Sequence, residues 1–423
     1  MGAASSSRLL ATTEAALADG AEVLDLSHEP LRVLPPTFIA MLSYSVQLKE
    51  LRLSSAGLTQ LPASFGRLAA LERLALDRNH LKELPISFHE LRRLRALDVS
   101  YNQLASLLGN FCDLVELQHL WLHANKLSAL PDAFGNLQAL KTLSVQNNIL
   151  GRLPYSIVRI PGLEVVDASD NHILDLPIEW ETCPALRTLR LSHNYLNSIP
   201  TGLWDLLQLE TLTLSHNRLV ELPVPTPVAA LPSLTNLSLS YNRIDALPAS
   251  LLQMPRVQVL TLATVDDSLF RLVDLVFLDL SENSLAVLPS DGWHSLVRLV
   301  ELHIAHNRLS AVPSGLELLP KLQFLNLSNN VLQTLPDAMG QLTSLETLWC
   351  HNNELKGLPP TIDGLQQLHT LFLEHNPMTR VPSTLSSLSA LCHLSMDRKS
   401  FALLDPELIS FCNQRPAFEI HGL

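Results

Sequence analysis

The chain has 423 residues and a formal net charge of −12, and its aromatic content is only 5% against 47% hydrophobic residues overall. This acidic balance argues against nucleic acid as a partner, because binding to a negatively charged phosphate backbone favours a surface rich in lysine and arginine. No apolar run approaches the roughly 20 residues that cross a bilayer, and the chain does not open on the uninterrupted apolar segment of a secretory signal. These features predict a cytoplasmic location.

The N-terminus carries two short signals. Gly2 followed by Ser6 matches the pattern for N-myristoylation, although a small-residue disordered tail has the same composition. From Arg8 to Asp19 the residues favour a helix, and Gly20 stands where a C-terminal cap belongs. The sequence therefore predicts a tail and a capping helix over residues 1–21, with weak membrane association if Gly2 is acylated.

Residues 22–399 repeat one unit of about 23 residues. In Leu322–Ser344 the residues around Leu325 and Leu327 alternate apolar and polar, which is the period of a short strand. The second half of the unit, through Pro336, returns the chain along the opposite side of a coil. One unit cannot bury its leucines alone, whereas stacked units bury them against each other. The predicted fold is α/β, a leucine-rich repeat solenoid (horseshoe) of about 17 repeats with a parallel sheet on its concave face.

An asparagine recurs in register in most units, from Asn79 to Asn217 and again from Asn283 to Asn376. Its amide has two donor hydrogens and an acceptor oxygen, so it can satisfy backbone groups left unpaired where the chain turns off the strand. A polar residue placed so regularly among leucines is structural. We predict a ladder of these amides along the solenoid.

One unit breaks the pattern. The strand leucine Leu260 is followed by Leu278 after only 18 residues, and Val265 occupies the asparagine position. A functional hinge, a tolerated deletion and an error in the coding sequence would all produce this segment, and we predict weak coupling of residues 256–275 to their neighbours. Beyond the array, residues 400–423 are predicted to form a C-terminal cap containing a helix.

The sequence contains none of the common catalytic or nucleotide-binding motifs: no P-loop, GxGxxG, HExxH or GxSxG. Several histidines stand just before the ladder asparagine, which is typical of a repeat consensus and not of a metal site. Cys183 and Cys350 replace core leucines, and there is no CxxC pair, which fits a reducing compartment. The sequence therefore predicts no enzyme activity, no cofactor and no metal.

The residues that flank the central strand leucine are expected to face solvent. Aromatic and histidine side chains occupy these positions and the turns beside them in two groups, and exposed aromatics in a line are typical of interface anchors. A broad sheet also tolerates scattered aromatics, which is the alternative. The predicted partner-binding residues are Tyr101, His119, Trp121 and His123, and then Phe277, His303, Phe324, Asn326, Trp349, His351, Phe372 and His375, with Trp349 and Phe372 at the centre.

The repeat LxxLxLxxNxLxxLPxxfxxL at a period of 23 resembles the intracellular Ras-group leucine-rich repeat family, which includes Ras suppressor protein, the LAP scaffolds and plant and protist relatives. The resemblance covers residues 22–399. It implies a non-catalytic scaffold that binds cytosolic proteins through its concave face, in small-GTPase or phosphatase signalling, and the chain is expected to be a monomer. The alternative is a sensor or inhibitor module that caps an enzyme or recognises a foreign protein.

Overall fold

The structure, a computed structural model, describes residues 13–14, 20–223, 231–244, 254, 256–262, 265, 267–404, 406 and 409–410. The chain divides into two compact units, Met1–Leu219 and Val220–Leu423. Gly2 lies outside the described residues, as do the predicted N-terminal capping helix (apart from Thr13 and Glu14) and most of the predicted C-terminal helix.

The described residues of the first unit contain nine parallel strands in sequence order, one for each repeat. Each central residue pairs with the central residue of the next strand, so that Leu24 is opposite Leu51 and Leu51 is opposite Leu74. A helix, α1 (Pro36–Ser43), fills the longer connection between the first two strands. The strands are β1 Val23–Asp25, β2 Glu50–Arg52, β3 Arg73–Ala75, β4 Ala96–Asp98, β5 His119–Trp121, β6 Thr142–Ser144, β7 Val165–Asp167, β8 Thr188–Arg190 and β9 Thr211–Thr213.

In the second unit, the part that the structure describes contains eight parallel strands with the same register, in which Leu325 is opposite Leu348 and Leu348 is opposite Leu371. A short helix, α2 (Arg398–Phe401), follows the last strand. The strands are β10 Asn236–Ser238, β11 Val259–Thr261, β12 Phe277–Asp279, β13 Glu301–His303, β14 Phe324–Asn326, β15 Thr347–Trp349, β16 Thr370–Phe372 and β17 His393–Ser395. The described residues thus contain seventeen strands, as the repeat count predicts.

The returning side of most described repeats is a short 3-10 helix, whereas the first repeat has α1 there. These helices stack on one another, and glycine permits the close approach: a Cβ on Gly135 would lie 2.4 Å from the Ser156 carbonyl oxygen. In the first unit they span Phe65–Arg67, Ile86–Glu90, Gly109–Asp113, Phe134–Asn136, Tyr155–Arg159, Trp180–Thr182 and Thr201–Asp205. In the second they span Asp267–Arg271, Trp293–Ser295, Leu316–Leu318, Asp337–Gln341, Pro360–Gly364 and Ser383–Ser387.

The asparagine ladder is present, and its members are buried except for Asn283, which is half-buried. Asn330 is representative: its Nδ2 donates to the carbonyl oxygens of Ile304, Leu327 and Ser328, and its Oδ1 accepts from the Leu309 amide. Two of these four partners belong to the preceding repeat, so the amide joins adjacent repeats as well as closing its own turn. This confirms the structural role predicted for the repeated asparagines.

The shortened repeat keeps its strand and its core. Strand β11 pairs in full register with both β10 and β12, and the amide of Leu262 donates to the Asp279 carbonyl oxygen. Leu260 and Leu269 are buried. Asn283 of the next repeat still reaches back, to the Leu262 carbonyl oxygen. Strand pairing and leucine burial therefore do not need the missing ladder asparagine or the LP return. The weak coupling of residues 256–275 stays a prediction: their amide hydrogens should exchange faster than those of the flanking repeats.

The helices in the described part of the chain are short. None of them has the length and apolar character that a membrane-crossing helix requires.

Candidate functional site

Five ring side chains form a continuous row across strands β12 to β16 in the second unit. We call this row the aromatic strip: Phe277, His303, Phe324, Trp349 and Phe372. Successive ring centroids are 5.0, 4.7, 5.0 and 5.7 Å apart, and the last pair is stacked with an interplanar angle of 12°. Residues that the sequence spreads over almost 100 positions are therefore brought together on one side of the sheet.

The strip lies on the outward face because the strand period is two. Around Trp349, its neighbours Leu348 and Cys350 have no solvent exposure, and burial raises the pKa of the Cys350 thiol. Trp349 itself is half-buried, as are the other rings of the strip. The sequence predicted exposed rings. The rings are less exposed than predicted, because each ring covers part of the next one.

Three buried polar atoms at or beside the strip have no hydrogen-bond partner among the described residues. They are Trp349 Nε1, His351 Nδ1 and Glu374 Oε2. The His351 ring centroid lies 6.3 Å from that of Trp349 and 6.5 Å from that of Phe372. Burial lowers the pKa of His351, and the nearby Glu374 carboxylate opposes this shift. Unsatisfied buried polar atoms cost free energy, and here they collect beside the stacked ring pair.

Two of the predicted binding residues, Asn326 and His375, do not belong to the aromatic strip. Asn326 is buried, and its Oδ1 accepts hydrogen bonds from the Ser328 amide and hydroxyl, so it closes the turn after β14 instead of facing solvent. His375 is exposed, with its Nδ1 3.8 Å from the Asp397 carboxylate, and it makes no ring contact with the strip among the described residues. The remaining second-group residues lie in or beside the strip.

The first group of predicted residues forms two separate pairs in the first unit. His119 stacks on Trp121 with centroids 5.8 Å apart, while Tyr101 meets His123 edge to face at 5.1 Å. The guanidinium of Arg78 lies 4.5 Å from the centre of the Tyr101 ring. This group has fewer adjoining rings than the aromatic strip. One of its rings already has a guanidinium over its face, whereas the strip contains no arginine.

The charge on the outward face differs between the units. Within the strands and the adjoining residues up to each ladder asparagine, strands β2 to β9 carry equal numbers of both signs: Lys49, Arg52, Arg73, Arg78, Arg95, Lys141, Arg187 and Arg190 against Glu50, Glu72, Asp77, Asp98, Glu164, Asp167, Asp170 and Glu210. Several of them form ion pairs, such as Arg73 with Glu50 at 2.9 Å.

Strands β12 to β16 have no lysine or arginine in the corresponding segments, namely residues 276–283, 300–307, 323–330, 346–353 and 369–376. Their charged residues are Asp279, Glu282, Glu301, Glu346 and Glu374. The aromatic strip therefore lies within a uniformly acidic part of the face.

The described residues contain no group of three or more histidine, cysteine, aspartate or glutamate side chains arranged to hold a metal ion.

Models of leucine-rich repeat families match four stretches of the chain. A model of a leucine-rich repeat region matches residues 313–408, a second leucine-rich repeat model matches residues 46–104 and 161–219, and a third matches residues 116–137. Together they cover more than half of the 423 residues. The chain is a leucine-rich repeat protein. No curated protein sequence matches it significantly.

Solved structures show the same fold. A leucine-rich repeat protein of Leptospira interrogans is 29% identical, with a TM-score of 0.72, and the match covers 90% of this chain and 97% of that one. The glycosylated form of the Drosophila Toll–Spätzle complex gives 23% identity and a TM-score of 0.69 over 92% of this chain and 56% of the other. The effector YopM of Yersinia pestis gives 24% identity and a TM-score of 0.55 over 90% of both chains.

One regular feature of this leucine-rich repeat protein escaped the sequence analysis. The residue before each ladder asparagine adopts a left-handed backbone conformation, with φ near +55° at positions such as His193, His306 and His375. Asparagine, aspartate and histidine tolerate this region better than most residues. The left-handed conformation therefore explains why histidine recurs at this position. Its constant place, one residue before the asparagine, was the signal in the sequence.

Proposed function

We propose that the aromatic strip is a protein-binding surface and that the chain acts as a non-catalytic scaffold. The observation that carries this proposal is the row of five half-buried rings on the outward face, where packing does not require aromatic side chains. Large rings supply contact area at low entropic cost and are enriched where binding energy concentrates. The fold is compatible with this role, since the Toll–Spätzle structure and a plant peptide hormone receptor bound to its peptide are complexes of the same fold.

The regular 23-residue repeat, with its LP return, supports a finer assignment by its resemblance to the intracellular Ras-group proteins. On that basis the scaffold is cytoplasmic and monomeric and works in small-GTPase or phosphatase signalling, and acylation of Gly2 would add weak membrane binding. Identification of the partner by affinity capture and mass spectrometry in cells of the source organism tests this assignment. A partner enzyme released from inhibition on dissociation would favour the sensor or inhibitor alternative instead.

Removing the stacked pair Trp349 and Phe372, at one end of the strip, tests the binding surface. We expect Trp349→Ala combined with Phe372→Ala to weaken binding of the purified partner at least about tenfold, because truncated aromatic anchors commonly cost 2 kcal/mol or more. Equilibrium titration gives the affinity and thermal denaturation gives the melting temperature, which should change little because both rings are only half-buried.

The comparison variant is Tyr101→Ala combined with Trp121→Ala, which removes two residues of the first predicted group, the alternative contact to the aromatic strip. It should leave the affinity unchanged. Full-strength binding by a folded Trp349→Ala/Phe372→Ala variant would overturn the proposal.

A further inference from the structure

The aromatic strip and the acidic segments that contain it occupy the same five strands, which constrains the chemistry of the partner. Each of these strands or its adjoining turn contributes an aromatic or histidine ring, and together the five segments contribute five carboxylates and no lysine or arginine. The corresponding segments of the eight strands β2 to β9 contain eight residues of each sign, so the repeat itself does not impose this bias.

The carboxylates beside the strip lack permanent cationic partners. Among the described residues, none of Asp279, Glu282, Glu301, Glu346 and Glu374 lies within 4.0 Å of a lysine or arginine nitrogen. Histidines stand in that place instead: His303 Nε2 is 3.4 Å from Glu301, and His306 Nε2 is 3.6 Å from Glu282. Among the described residues, therefore, no lysine or arginine within ion-pair distance balances the negative charge of these carboxylates.

Ring faces and carboxylates attract the same kind of group. A lysine ammonium or arginine guanidinium is drawn to an aromatic face by the ring quadrupole and to a carboxylate by its charge. An acidic partner would instead place like charges opposite each other, which costs free energy and excludes such partners. The combination therefore selects for cations and against anions, including phosphate-rich ligands.

We propose that the aromatic strip binds an extended segment of a partner protein that presents lysine or arginine side chains. Four strand spacings give the strip a length of about 19 Å, which about six residues of extended chain would span. In such a segment alternate side chains point to the same side, so that every second residue would meet the rings and carboxylates. This inference rests on the proposed function and adds the chemistry of the partner.

The test uses three labelled twelve-residue peptides that alternate serine with lysine, glutamine or glutamate. Fluorescence anisotropy should show that the lysine peptide binds more tightly than the glutamine peptide and that the glutamate peptide does not bind. The affinity for the lysine peptide should fall as salt is added, since exposed charges are screened. Equal binding of the lysine and glutamine peptides would overturn the proposal, as would competition by spermine at concentrations equal to those of the peptide, because a peptide site should prefer the longer ligand.

Removing carboxylates beside the strip tests whether the lysine peptide binds there. Glu301→Gln combined with Glu346→Gln removes two exposed carboxylates beside the strip and should weaken lysine-peptide binding about three- to tenfold. The matched control, Glu164→Gln combined with Glu210→Gln, removes two carboxylates from the same face of the first unit and should have no effect. Equal losses in both variants would mean general attraction by the acidic chain and would also overturn the proposal.

The outcomes separate this inference from the proposed function. If the captured partner loses affinity for the Trp349→Ala/Phe372→Ala variant while the lysine peptide shows no preference, the strip binds a partner of different chemistry, and only the present inference fails. If the partner binds that folded variant at full strength, the proposed function fails.

Discussion

Replacing Leu348 by alanine is expected to lower the free energy of unfolding by about 2–5 kcal/mol. Leu348 has no solvent exposure and lies between Leu325 and Leu371 in the register of the second unit. Truncation leaves a cavity that two neighbouring repeats share, and a solenoid depends on contacts between neighbours for most of its stability. Chemical denaturation followed by circular dichroism measures the change.

The adjacent residue provides the control for this substitution. Thr347 is half-buried and faces outward, one position before Leu348 on the same strand. Thr347→Ala should change the free energy of unfolding by less than about 0.5 kcal/mol, as surface substitutions usually do. If the two variants lose equal stability, the inward and outward assignments on this strand are wrong.

Replacing Asn330 by alanine is expected to cost about 2–4 kcal/mol, because the side chain makes four buried hydrogen bonds. The three carbonyl oxygens that it serves keep another donor each: Ile304 from Asn307, Leu327 from Asn353, and Ser328 from the His306 amide. The buried Leu309 amide, in contrast, loses the acceptor that the structure shows for it. An orphaned buried N–H group accounts for much of the expected loss.

The control for the ladder is an asparagine outside it. Asn136 is exposed on a returning 3-10 helix, and Asn136→Ala should leave the denaturation midpoint almost unchanged. Differential amide exchange supplies a second measurement, since the Leu309 amide should lose protection in Asn330→Ala before the strand amides do. Equal stability of the Asn330→Ala and Asn136→Ala variants would contradict the structural role of the ladder.

The sequence was sufficient for the strand positions and for the direction of most side chains. A period of two places Leu348 and Cys350 inward and Trp349 outward, and the 23-residue spacing puts Phe372 beside Trp349. The regular position of the asparagines and their hydrogen-bonding capacity were enough to predict the ladder. These inferences succeed because a repeat lets one local rule act at every position.

The remaining features depend on contacts between repeats. The half-burial of Trp349 depends on how Phe324 and Phe372 pack against it, which spacing alone does not give. Asn326 stands at an outward position, yet its oxygen is held by Ser328 in a turn. The full-register pairing of β11 was not readable from the shortened repeat, because that pairing needs neither the missing asparagine nor the LP return. The acidic bias around the strip was readable in the sequence, but only once the five segments were known to adjoin.

The measurement that tests the binding surface most directly uses the five tryptophans of the chain, labelled as 5-fluorotryptophan and observed by fluorine NMR during titration with the partner. Trp349 lies in the aromatic strip and Trp121 on the outward face of the first unit, while Trp180, Trp204 and Trp293 are fully buried. We expect the Trp349 signal, assigned with Trp349→Phe, to shift or broaden on binding while the other four stay in place. A shift of Trp121 with Trp349 unchanged, or a bound complex in which neither signal moves, would contradict the proposed surface.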